Sequence, residues 1–344
     1  MTADFHFLLG RHTTLNTWRL PLLPMLLFLA LIGYGADDKV PAIAPSNSAH
    51  IPSTTVTIPF EFRRGHIVIR SRINESEPLS FMLDSGYSMT MMSAELTDTL
   101  KLKRVSQATI VGIAGSEEAD VFEGPTFDLA GATYSPRRIG AFPSANKGRS
   151  RKRDGVLGSG FFRRFVVEID HRAKTIQLHE PTNYTYAGSG EIIPLRFRRT
   201  TPMVTAEIKR PGRPPVSGQF EIDTGCDGGL CLGHKFVEAH QLVETSGQTE
   251  DGVRKGVGGD TRTVIGSLPQ FQLGQITIDK PQVNFFLEGS PVDDGLAGHI
   301  GIEILRPFKV IFDYSRKQLI LESYDALPKS AEKNSLPAAT GKSN

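Results

Sequence analysis

Two short segments carry the residue types that could do chemistry: Phe81-Met82-Leu83-Asp84-Ser85-Gly86 and Phe220-Glu221-Ile222-Asp223-Thr224-Gly225. Each is a mostly apolar run that ends in Asp, a hydroxyl residue and Gly, and the two aspartates stand 139 positions apart (223 − 84). A carboxylate at the end of an apolar strand is costly to bury alone, so it needs hydrogen bonds or a partner with which to share a proton. Glycine after it lets another backbone approach where a Cβ would clash. Ser85 and Thr224 supply hydroxyls that can tie one loop to the other. If the two segments meet face to face, Asp84 and Asp223 titrate as a unit holding one proton. One carboxylate then polarises a water as general base while the other donates to a substrate carbonyl. A lone Asp-[Ser/Thr]-Gly carries little weight, since average composition gives about 0.2 chance occurrences in a chain of this length. A β-turn capped by its own Asp is the plain alternative for either copy.

The elements that must position these triplets repeat with them. Ile58-Pro59-Phe60-Glu61-Phe62-Arg63-Arg64 answers Ile193-Pro194-Leu195-Arg196-Phe197-Arg198-Arg199. Gly112-Ile113-Ala114-Gly115 answers Gly256-Val257-Gly258-Gly259, and Phe127-Asp128-Leu129 answers Phe271-Gln272-Leu273. Gly155-Val156-Leu157-Gly158 pairs with Gly298-His299-Ile300-Gly301, and Phe165 to Asp170 with Phe308 to Asp313. Landmarks in one order, at offsets from 135 (193 − 58) to 144 (256 − 112), imply a duplicated unit. Short alternating runs predict a meander over Thr55 to Phe62, His66 to Arg70 and Ser80 to Leu83, matched by Ile193 to Phe197, Met203 to Ile208 and Gly218 to Ile222. Helices are expected only over Ser93 to Leu102, Lys235 to Gln241 and the turns after Gly158 and Gly301. Strands joined by hairpins argue against a doubly wound sheet. Gly158-Ser159-Gly160 and Gly256-Val257-Gly258 are therefore not dinucleotide loops.

These residues resemble the aspartic proteases, and among them the retropepsin-like group, as a single chain with two lobes. The resemblance spans residues 55–324 apart from a linker near 179–190. It implies an all-β, bilobal pepsin/retropepsin-like acid protease fold with a pseudo-twofold internal repeat. It implies that Asp84 and Asp223 are the catalytic pair, with Ser85, Gly86, Thr224 and Gly225 supporting the catalytic loops. Gly112, Ile113, Ala114 and Gly115, and likewise Gly256, Val257, Gly258 and Gly259, are then flap residues over the substrate. Val156-Leu157-Gly158 and His299-Ile300-Gly301 are the elements that cross beneath the loops. The chain departs from the family pattern after each triplet, where Tyr87 and Cys226 replace the usual small or hydroxyl residue, and neither flap carries a Tyr.

The implied function is an exported aspartic endopeptidase acting on peptide or protein substrates as a two-lobed monomer. A catalytically silent peptide-binding protein on the same fold is the alternative, and an exported β-sandwich adhesion or carbohydrate-binding module is a third. No metal or organic cofactor is called for, because the mechanism needs only water. At 344 residues, 39% hydrophobic and 22% charged, the composition suits a soluble globular protein, and a net charge of +2 makes no case for nucleic acid. Arg11, His12 and Arg19 precede an apolar run from Leu20 to Ala36, so residues 1–36 read as a signal peptide or a membrane anchor directing the protein to the periplasm or outside. Residues 37–54 read as a linker, 55–180 and 190–324 as the two lobes, and 325–344 as a disordered tail. The basic run Lys147, Arg149, Arg151, Lys152 and Arg153 reads as a solvated loop. The two cysteines, Cys226 and Cys231, are compatible with a short-loop disulfide or with free thiols.

Overall fold

A computed structural model describes residues 55–74, 76–142, 154–288 and 295–324. The leader, the linker, the basic run and the tail expected from the sequence lie outside the described residues. Among those described, strands gather into a 15-stranded sheet and a 10-stranded sheet, with four α-helices of four to seven residues. The helices fall where the sequence places them: Ala94–Thr99, Ser159–Arg164, His234–His240 and Ile302–Leu305. Ser93 caps the first, its hydroxyl accepting from the Leu96 amide at 3.2 Å.

The two halves make the same moves. In the first, Thr55–Arg63 pairs with Thr175–His179 up to Pro59 and with His66–Ile73 from Phe60 onward. In the second, Glu191–Pro194 pairs with Gln318–Ser323, and after Leu195 the short strand Arg196–Arg198 pairs with Thr201–Arg210. Both partner changes occur at a proline, whose missing amide makes it a natural point to leave one ladder for another. The single strand expected over Ile193 to Phe197 is therefore two strands, because Leu195 turns its amide to Lys317 O at 2.8 Å.

The strands that close each half join the halves together. Val166–Asp170 lies antiparallel to Phe308–Asp313, with Val167 opposite Phe312 and Ile169 opposite Val310. Each is flanked by its own hairpin partner, so six strands, three from each half, run in one sheet: 191–194, 318–323, 308–313, 166–170, 175–179 and 55–63. Above it, a continuous apolar core reaches across both halves. Phe162 on the first half's helix packs edge-on against Phe312, 4.9 Å between centroids, and stacks on Tyr314. Phe197 meets Tyr314 from the other side at 4.8 Å. This shared sheet and aromatic chain are the rigid base from which the two Asp-containing loops project.

Candidate active site

The loops are held at strand ends by matched parallel pairings. Leu79–Leu83 runs parallel to Gly155–Leu157, with Met82 opposite Val156. Arg213–Ile222 runs parallel to Gly298–Ile300, with Glu221 opposite His299. The Asp84 amide donates to Leu157 O at 3.0 Å and the Asp223 amide to Ile300 O at 3.0 Å. Each aspartate thus leaves its strand at the same point, anchored to the apolar segment the sequence places beneath it.

Ser85 and Thr224 then lock the loops to each other. The Ser85 hydroxyl donates to Ile222 O at 2.7 Å and accepts from the Thr224 amide at 3.1 Å. The Thr224 hydroxyl donates to Leu83 O at 3.0 Å and accepts from the Ser85 amide at 2.9 Å. Both side chains are buried, where hydrogen bonds are costly to leave unmade. The glycines make the approach feasible. A Cβ on Gly86 would sit 2.8 Å from Asp223 Cγ, and one on Gly225 would overlap the Asp84 carboxyl.

The result brings the Asp84 and Asp223 carboxyls side by side, each pressed against the glycine of the opposite loop. Asp84 Oδ1 accepts from the Gly86 and Tyr87 amides, each at 3.0 Å, and Asp223 Oδ1 accepts from the Gly225 amide at 2.8 Å. Burial, reinforced by the neighbouring Asp223 charge and hydrogen bond and by Glu221, pushes the Asp84 carboxyl well above the usual range.

The Gly-rich segments form the turns of two hairpins. Arg104–Gly112 and Gly115–Glu123 turn at Ile113-Ala114, and Glu250–Gly256 and Gly259–Ser267 turn at Val257-Gly258. The tips touch: the Ala114 amide donates to Val257 O at 3.1 Å, and the Gly258 amide to Glu117 Oε1 at 3.2 Å. Gly258, at φ +91°, has no room for a side chain against the backbone of Ala114 and Gly115. Beneath the tips, Met82, Met91, Ile110, Ala119 and Val156 form an apolar cluster against which Val257 packs. Tyr87 packs against that cluster, 6.3 Å from Phe142 in a T-shaped contact. Cys226 and Cys231 are free thiols with sulfurs 3.5 Å apart.

A family model described as aspartyl protease matches residues 69–161, which include Asp84, its loop, the first hairpin and the segment beneath. That segment is similar to the aspartyl proteases. The fold agrees: the aspartic proteinase from Irpex lacteus superposes with a TM-score of 0.51 over 78% of this chain and 97% of that one. At 14% identity this likeness speaks to the fold alone. No curated protein sequence matches. The match over that segment and the shared fold are what support a peptidase, a hydrolase of peptide bonds.

The structure brings together every residue singled out for the loops, and places both Gly-rich segments at hairpin tips. Sequence reading assigned no role to Glu221 and gave His299 only a place in the segment beneath the second loop. Both are buried, and His299 Nδ1 lies 3.2 Å from Glu221 Oε2, at ion-pair distance but off the line of a hydrogen bond, and 4.0 Å from Asp223 Oδ2. The signal was present: these positions answer Met82 and Val156 in the first half. It also missed Arg254, on the second hairpin, which is ion-paired with Asp227 of the second loop. Among the described residues no group of three metal-ligating side chains gathers, and no helix is long and apolar enough to cross a membrane.

Proposed function

We propose that this protein is an aspartic endopeptidase in which Asp84 and Asp223 share one proton and activate a water for attack on a peptide bond. The observation that carries this reading is the side-by-side placement of the two carboxyls, held by the reciprocal Ser85–Thr224 hydrogen bonds. Two carboxyls this close cannot both ionise easily, so one is an acid and the other a base at the same pH. Peptide lies extended between the pair and the hairpins, held by main-chain hydrogen bonds, with side chains alternating between walls. The hairpin tips meet above the site, so they open to admit substrate and close to exclude water. The apolar run from Leu20 to Ala36 supports export, with either release or tethering at the N-terminus.

The test is cleavage of a diverse peptide library across pH 3 to 8 by residues 37–344, beside Asp84→Asn and Asp223→Asn. Cleavage lost in both variants and blocked by a statine-type inhibitor supports the shared pair. Cleavage that survives either substitution refutes it. A folded protein that binds peptides and cleaves none is the silent peptide-binding protein.

A further inference from the structure

The two catalytic loops are alike in backbone and unlike in what stands beside them. Two residues before each aspartate, on the same face of its strand, the first half places Met82 beside Val156 and the second places Glu221 beside His299. One pair is apolar and the other is a buried acid and base. Glu221 reaches across to the first loop: its Oε1 lies 2.9 Å from where a Cβ on Gly86 would stand. His299 sits between Glu221 and Asp223, at 3.2 and 4.0 Å.

We propose that Glu221 and His299 are a positioning pair that assigns the single proton of the dyad, holding it on Asp84 and leaving Asp223 as the carboxylate. This rests on the endopeptidase reading. Asp84 is nearly enclosed and faces Glu221, so ionising it is doubly unfavourable. Asp223 keeps 20% of its side chain exposed and lies beside the imidazole, so negative charge is best placed there. The charged groups facing the pair agree. His299 faces Glu221, Asp223 and Cys226, and Glu221 faces His299, Asp223 and Arg198, with Tyr314 behind. Burial alone would lower the imidazole, yet Glu221 and then Asp223 carry it up to about 9, so His299 is a cation throughout the acid and neutral range.

The assignment fixes the direction of proton flow. Asp223 takes a proton from water as the oxygen bonds to the peptide carbon, and Asp84 gives its proton to the carbonyl oxygen, forming a gem-diol. Asp223 then protonates the leaving nitrogen, a diol hydroxyl returns its proton to Asp84, and the C–N bond breaks.

The experiment is the pH profile of kcat/KM for the wild type, Glu221→Gln, His299→Gln and the double variant Glu221→Met/His299→Val, which copies the apolar pair of the first half. Removing the negative charge leaves the His299 cation unopposed and moves the acidic limb to lower pH. Removing the cation moves it to higher pH in His299→Gln, and the double variant, which loses both opposed charges, should fall between the two single variants. Each single-variant shift is expected to be about 1 pH unit at a 4 Å charge separation under partial screening. Rates that fall while the limb stays put, or limbs that all move in one direction, overturn the assignment and leave the endopeptidase standing. Should one single variant fail to fold, the other decides by the direction of its own shift. Absence of cleavage by the wild type at any pH overturns the endopeptidase reading and this assignment with it.

Discussion

Ser85 and Thr224 each give a hydroxyl proton to the carbonyl just before the other's aspartate: Ser85 to Ile222 O and Thr224 to Leu83 O. Each loop is therefore clamped by the opposite half, and the separation of the carboxyls depends on both hydroxyls. Thr224→Val keeps the shape of the side chain but leaves Leu83 O and the Ser85 amide unpaired in a buried site. At roughly 1–3 kcal/mol for each orphaned group, a loss of about 3 kcal/mol in unfolding free energy is expected. A fall in kcat of at least tenfold should accompany it. Denaturant unfolding and peptide cleavage on the same preparation check both, and an unchanged midpoint would refute the clamp.

Asp84, being buried, works against stability. Its folded pKa lies above the unfolded value near 4, so the folded state holds a proton that the unfolded state has already released. The resulting penalty is absent below about pH 4 and grows as pH rises from there toward the folded pKa. Asp84→Asn removes it. This variant should be inactive, equal to the wild type in stability near pH 3, and more stable than the wild type at pH 7, seen as a higher Tm. Thermal melts at the two pH values decide the matter.

The positions of both aspartates, both hydroxyls and both Gly-rich tips were legible in the sequence because each occurs there twice, in the same order. What occurs once was not. The Glu221–His299 pair broke the repeat, and a lone acid on a strand or a lone histidine in an apolar segment carries no sign of its partner until the parallel register sets them side by side. The Arg254–Asp227 pair was hidden for the same reason: 27 residues separate its members, and only the arch of the hairpin closes the gap. Tyr87 stood out as a departure from the family pattern, yet its direction depends on the Phe142 and Met82 surroundings that receive it. Local strand limits blurred where a proline changed the ladder, as at Pro194.

The hairpin tips meet through backbone, and Gly258 is the closest point. A methyl group there would collide with Ala114 and Gly115 and would strain a positive φ. Gly258→Ala should hold the tips apart. Because the tip lies far from the core, Tm should change by less than about 2 °C, whereas KM for a good peptide should rise several-fold. A variant that loses stability but binds substrate normally would show that the tips serve folding instead.

Phe162 joins the halves through Phe312 and Tyr314. It is fully buried, so Phe162→Ala should cost about 3–5 kcal/mol. The damage should not stay local, because the shared sheet beneath sets the angle between the two loops. Loss of kcat in a variant that still shows a cooperative melt would mark this aromatic contact as the support of the site. Retained kcat would confine its role to stability.

Substrate preference should follow the asymmetry of the walls. On the first half, the cluster of Met82, Met91, Ile110, Ala119 and Val156 lies below Val257 and beside Asp84. An extended peptide places alternate side chains on that wall, so one residue flanking the cleaved bond should be large and apolar. Met82→Ala removes several methylene-sized groups from the cluster and opens space there. Each CH₂ buried is worth about 0.8 kcal/mol, so kcat/KM for a leucine at that position should fall several-fold. A phenylalanine or tryptophan, able to refill the space, should gain relative to leucine by a similar factor. Library cleavage by the two proteins, compared at that position alone, gives the answer. An unchanged ranking of side chains would move the binding wall elsewhere.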